Sequence, residues 1–386
     1  MRRFLSLLIH LFGAGRGRPA AAVLLIVFMA LSLSQGHSPL QPLRLALFDA
    51  YQILLPRARE SAPAVIVHID EAAIRQYGQW PWPRTRLAEL MARISACGPA
   101  AIGLDILMPE PDRVSPARLA ETLPQLDREL RRRLEALPDN DRILAASFRG
   151  SKVVLGIAGV DGPGEGKTAA FRTAPILSKG GDPLPHVRHF SRALKSIPEL
   201  ENAAAGQALL SVDPERGVVR RIPLLAAAGE TPVPALALEL LRVAADLPAI
   251  EVDVGPEGIS SVRVGDTRIP TQANGEVWIH LTPFLPERYV SAADLLKGTI
   301  VPEQLRQKLV LVGLTGLGLV DYHTTARGER VPGMELHAQL LENIFDGHFL
   351  RRPGWMTGLE LGLSALLGLC LIAAVPALRP SATAWL

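Results

Sequence analysis

Cysteine is nearly absent: the 386 residues include only Cys97 and Cys370. Neither sits in a Cys-x-x-Cys pair, so neither a zinc site nor a dithiol redox motif is present. Cys370 falls in a long apolar run, so no bridge between the two is expected. Aromatic residues make up 5% of the chain, and no basic stripe interleaves with them. The net charge of +3 argues neither for nor against nucleic acid, and without such a stripe no nucleic-acid partner is expected. There is no Gly-x-Ser-x-Gly elbow and no His-Glu-x-x-His helix. His186 and His189 lie in a proline-rich stretch without acidic or thiol neighbours, and His337 is one position off the apolar stripe of its helix. No catalytic set, metal site or cofactor is expected from these residues, and no internal repeat is visible.

One segment imitates a phosphate loop. The stretch "DGPGEGKT" (161–168) ends in Gly-Lys-Thr, but Asp161 stands where the pattern requires glycine. An acidic residue there repels phosphate, and Pro175 denies the long helix whose N-terminus would hold the anion. The segment reads as a loop.

What the chain does have is apolar length at both ends, and a mean hydropathy of +0.21. The run from Pro19 to Ser34 comes after Arg2, Arg3, Arg16 and Arg18, which places its N-terminal side in the cytoplasm. Residues 19–36 are therefore expected to span the membrane, after a cytoplasmic N-terminus over 1–18. A secretory signal cleaved near Ser32 and Ser34 is the competing reading, and both readings export the residues beyond it. A second span is expected over 358–378, with one charge near its start, Glu360, and with Arg379 as an anchor. Residues 379–386 then read as the start of a further loop or span of a longer polypeptide.

Between these ends, residues 40–350 alternate strand and helix patterns. "AVIVHID", "AAIGLDIL", "KVVLGIAG" and "KLVLVG" are short apolar, β-branched runs of the kind buried in parallel sheets. Asp70 is placed to cap a helix that stops at Gly78. Leu87, Leu90, Met91 and Ile94 then mark an amphipathic helix ended by Gly98 and Pro99, so 64–107 reads as a βαβ unit. "ALLSV" and "GVVRRIPLL", and likewise "VRVGDTRIP" and "EVWIHL", read as antiparallel strands, the second pair joined through Asn274-Gly275. Residues 115–137 read as a charged, solvated insertion. The fold class expected is α/β, with a mixed, largely parallel sheet, helices on both faces, and a transmembrane helix on each side.

Ligands of open parallel sheets sit at the carboxyl ends of strands. Asp70, Asp105 and Asp321 fall there, together with Gly313, Thr315 and Gly316 of the turn "GLTGLGLVD", whose backbone amides can cradle an anion. These six form the candidate ligand crevice. Taken singly, each aspartate is better explained as a helix cap or an Asx turn. The stretch "WPWPR", Trp80, Pro81, Trp82, Pro83 and Arg84, holds both tryptophans out of helix and puts their indoles on one side. That makes a rigid wall, with Arg84 set to lie against an indole face. Packing over the βαβ unit is favoured over a ligand clamp.

The block from "VIVHIDEAAIRQYGQWPWPR" through "GLDILMPEPD" resembles the opening of the second class of CHASE domains. The resemblance continues through "DRILAASFRG", "VDPERGVVRRIPLL", "KLVLVGLTGLGLVDYHTTA" and "VPGMELHAQLLENI". One departure is Ala326 after Thr325, where the family usually has proline. The resemblance implies an extracytoplasmic sensor on a multi-pass inner-membrane protein. Its output would be a cytoplasmic adenylate cyclase, or alternatively a histidine or Ser/Thr kinase. It implies no catalysis within these residues, a small-molecule or envelope signal, the membrane as a partner, and a homodimer. A rival reading from the residues alone is an exported α/β hydrolase using the three aspartates with a metal.

Overall fold

The four apolar runs form the centre of a seven-stranded sheet. Its strands are β1 (Ala64–Ile69), β2 (Ala101–Asp105), β3 (Val153–Val160), β4 (Arg192–Leu194), β5 (Gly206–Leu209), β6 (Tyr289–Ser291) and β7 (Leu309–Leu314). The computed structural model describes residues 18–33, 38–162, 172–212, 214–316, 318, 322–352 and 355–375. By its internal contacts the chain divides into two units, Gln52–Leu350 and a second made of Met1–Tyr51 with Arg351–Leu386.

In the larger unit the strand order is β6-β1-β7-β2-β3-β4, with β5 also paired to β3. Every pairing is parallel except β3 with β4. Successive side chains of a strand point to opposite faces, and here both faces are covered. Val65, Val67 and Ile69 join a core with the helices Arg84–Ala96, Asn140–Ser147 and Ala292–Lys297. On the other face the helices Leu236–Ala244 and Gly333–Asp346 pack. Gly103 permits that approach, since a Cβ there would lie 3.0 Å from Leu240 Cδ1. The α/β class is therefore as expected, with smaller mixed sheets added around it.

The βαβ unit over 64–107 forms as expected, with β7 lying between its two strands. Two local expectations are corrected. "ALLSV" and "GVVRRIPLL" do not pair with each other. β5 lies parallel to β3, and Val218–Val219 lies parallel to Tyr322–Thr325, because distant strands offer better-matched edges. Gly275 does turn the chain with φ 76°, yet Glu276–Trp278 pairs with Arg221–Pro223, while Thr267–Pro270 folds back on Gly258–Val264. In the insertion, no residue of the helix Arg128–Glu135 is buried.

WPWPR forms a corner. Trp82 is 2% exposed and its Nε1 donates to Gly78 O at 2.8 Å, with Tyr77 edge-on at 6.1 Å. Arg84 does not rest on an indole. Its amide donates to Asp112 and its Nε to Asp141 at 3.2 Å, because a buried carboxylate attracts a guanidinium more strongly than a ring face does.

In the smaller unit, Trp355–Ala374 is the one helix among the described residues long and apolar enough to cross a membrane. Arg18–Leu33 is apolar but has 16 residues, about 24 Å of helix against a hydrocarbon core of about 30 Å. The span expected over 19–36 is therefore not matched in length, and residues 34–36 lie outside the described residues. Within this unit Glu360 accepts from Arg44 and Arg352, and Gly368 leaves room for Leu25.

Candidate functional site

The residues expected to ring one crevice separate into two groups. Asp70 Oδ1 accepts from Ala73 N at 2.9 Å, capping the helix Glu71–Tyr77, and from Ser291 Oγ at 3.0 Å. Thr315 Oγ1 lies 2.8 Å from His68 Nδ1, whose other nitrogen is 3.8 Å from Asp70. Burial holds His68 below its ordinary pKa, against the pull of Asp70. Gly316 is buried. Asp321 lies outside the described residues. Among the described residues, no cluster of three His, Cys, Asp or Glu side chains is placed to hold a metal ion.

Asp105 belongs to the other group. It ends β2 and faces a cavity of about 520 Å³ at the carboxyl edge of β2, β3 and β7. The far wall is the start of the helix Gly333–Asp346. Gly313, at the end of β7, lets this helix come down onto the sheet, since a Cβ there would lie 2.5 Å from Met334 Cε and 3.4 Å from Asp105 Cβ. A Cβ on Gly333 would lie 3.6 Å from Asp105 Oδ2 and 3.7 Å from His323 Nε2. Leu107, Phe190, Leu210 and Leu314 supply apolar lining, and Arg188 pairs with Asp161 at the rim. A hollow of about 560 Å³ lies at the opposite, amino edge beside Ser61 and Phe345, away from the strand ends where such sheets bind ligands.

The Asp105 side chain makes no hydrogen bond or ion pair among the described residues, and burial pushes its carboxyl up to about 6. Behind the cavity, His337 is 1% exposed with Nδ1 unpartnered, and burial pushes it down to about 4. These residues imply a pH signature. A carboxyl with a raised folded pKa destabilises the folded state once ionised; the penalty is absent below about pH 4 and grows as pH rises through 6. His337 acts in the opposite sense, losing stability as pH falls from 6.5 towards 4, and is common to parent and variant. Asp105→Asn is therefore expected to exceed the parent in stability at pH 7.5, by on the order of 2–3 kcal/mol. The gap should close near pH 4. Denaturation series across pH 4–8 measure it, and a gap independent of pH would refute the assignment.

The same helix carries a buried polar layer. Glu335, Gln339, Glu342 and Asn343 are all buried on Gly333–Asp346. Arg288, fully buried, is held by Glu335, by Glu342 at 2.9 Å and by Thr282 Oγ1 at 2.9 Å. Arg57 reaches Glu342 and Asp346, each at 2.6 Å, and Arg59 reaches Glu342 at 2.8 Å. Gln52 donates to Ile279 O and accepts from Leu281 N. The first segment of the larger unit and the stretch just before β6 are thus bound to one helix, which starts at the cavity and closes on Gly347 with φ 68°.

Sequence reasoning placed Asp105 and Gly313 but missed His323, Gly333 and Met334, which reach the cavity through strand pairing at long range. The apolar stripe of the helix was legible, and the burial of its other face was not. The spacing 335, 339, 342, 343, 346 does put its polar residues on one stripe, but that stripe is covered by Arg57 and Arg288 instead of water.

Comparison with known proteins gives one positive result: the CHASE2 domain model matches residues 21–375. No curated protein matches the chain, and no solved structure does.

Proposed function

The chain belongs to the CHASE2 domain family, extracytoplasmic sensor domains of signalling proteins, and on that premise we propose that the Asp105 cavity is where its signal binds. As a sensor domain it has no catalytic role of its own. The observation that carries the proposal is the course of the helix Gly333–Asp346. Its first turn walls the cavity, while Glu342 and Asp346 in its last turns grip Arg57. A ligand that favours one seating of this helix shifts the population of sensor states and biases whatever is attached to the chain ends. The site is carried by Asp105, Gly313, Gly333 and Met334. Asp70 and Thr315, bound to Ser291 and His68 at the neighbouring strand end, lie outside its lining.

The protein is anchored in the inner membrane, acts as a homodimer, and drives an adenylate cyclase. The family's common outputs support this choice over a histidine or Ser/Thr kinase. A reading frame continuing past Leu386 into a kinase would redirect the output and leave the sensor reading intact.

Gly333 provides the test. It has room for a Cβ, so Gly333→Ala is expected to behave as the parent, whereas the side chain of Gly333→Leu fills the cavity over Asp105. In cells where the chain drives a cyclase, Gly333→Leu should change basal cyclic AMP several-fold relative to Gly333→Ala. Equal levels in two well-folded variants would remove the cavity from signalling.

A further inference from the structure

Resting on that reading, we infer that the cavity takes an α-amino acid, or a close zwitterionic analogue, with an unbranched or lightly branched apolar side chain. Two complementary charges on neighbouring ligand atoms are what the walls ask for. The half-buried Asp105 side chain lines this cavity without a hydrogen bond or ion pair among the described residues, beside Leu107, Leu314 and Met334. A carboxylate so placed attracts a cation. Directly across from it starts a helix of 14 residues, Gly333–Asp346, with Pro332 before it and no side chain capping its first amides. Those amides and the helix dipole favour an anionic group. The two features are neighbours, since a Cβ on Gly333 would be only 3.6 Å from Asp105 Oδ2. An ammonium and a carboxylate on one carbon are opposite charges that a small ligand can present to such neighbours.

The remaining lining selects the rest of the molecule. Leu107, Phe190, Leu210, Leu314 and Met334 offer an apolar chamber, and about 520 Å³ is the size of a small-molecule site. Arg188 is engaged by Asp161 at the rim, which leaves Asp105 and the helix amides to orient the ligand. A purely anionic ligand would meet the Asp105 carboxylate. A bare divalent cation would find no group of three ligating side chains among the described residues.

The test uses three probes with one carbon skeleton: L-norleucine, n-pentylamine, which lacks its carboxylate, and hexanoate, which lacks its amine. Each is titrated into the full 386-residue chain in lipid nanodiscs and followed by calorimetry and thermal melting. L-norleucine is expected to bind and to raise the melting temperature by about 2–4 °C at saturation. Pentylamine should bind about tenfold more weakly, and hexanoate should not bind. Asp105→Asn should lose at least tenfold in L-norleucine affinity while remaining folded. Gly333→Leu should lose it from the opposite wall with the carboxylate untouched. Hexanoate binding as well as L-norleucine would overturn the inference, as would full affinity in Asp105→Asn. Absence of binding by all three probes, with Gly333→Leu still altering cyclic AMP, would reject the ligand class and keep the cavity. Absence of both effects would reject the cavity as well.

Discussion

Arg288→Ala is expected to remove about 3–5 kcal/mol of folding stability, measured by denaturant titration of the detergent-solubilised chain. The guanidinium is fully buried and holds two carboxylates that are themselves fully buried, Glu335 and Glu342. Removing it leaves Glu335 without its cation and Thr282 Oγ1 without a donor. Arg57 and Arg59 still neutralise Glu342, so the loss concentrates at the first turn of the helix, beside the cavity. A double variant, Arg288→Met with Glu335→Leu, should recover part of the loss, since matched apolar replacement of a buried pair is far less costly than breaking it. A loss below about 1 kcal/mol in Arg288→Ala would mean that water reaches this layer.

Trp82→Ala is expected to cost a similar amount, about 3–5 kcal/mol, through lost burial and the cavity left behind. Trp82→Phe should cost less. It keeps the apolar ring against Tyr77 but leaves Gly78 O without the indole donor 2.8 Å away, a loss of roughly 1–2 kcal/mol. Because the residue sits in the core shared by β1 and the helix Arg84–Ala96, the stability loss should precede any signalling defect. A Trp82→Ala protein with unchanged melting but no response would instead make WPWPR part of the ligand site.

The elements legible in the sequence were those fixed by local chemistry. β1, β2, β3 and β7 announced themselves as short apolar runs, and Asp70 and Gly78 bounded their helix by capping and by a φ of 98°. Strand order was not legible. Nothing local in "KLVLVG" says that it lies between β1 and β2, because that choice is made by which edges match once the helices cover both faces. The site was half legible for the same reason. Asp105 and Gly313 are predicted by the rule that ligands sit at strand carboxyl ends. Gly333 and His323 depend on where a distant hairpin lands. The burial of Glu335 and Glu342 was not legible because their partners, Arg57 and Arg288, come from remote parts of the chain.

The position of β7 also has a consequence for how the protein is made. β1 pairs with β6 and with β7, from Ala64 against Leu309 to Ile69 against Leu314, and both partners are synthesised near the end of the larger unit. A nascent chain therefore carries β1, apolar and unpaired on both edges, while most of the unit is still to be made. Long-range pairing of this kind is slow, and a waiting strand invites pairing with other chains. The ribosome and the export machinery thus deliver a molecule that can close its sheet only after its last strand arrives.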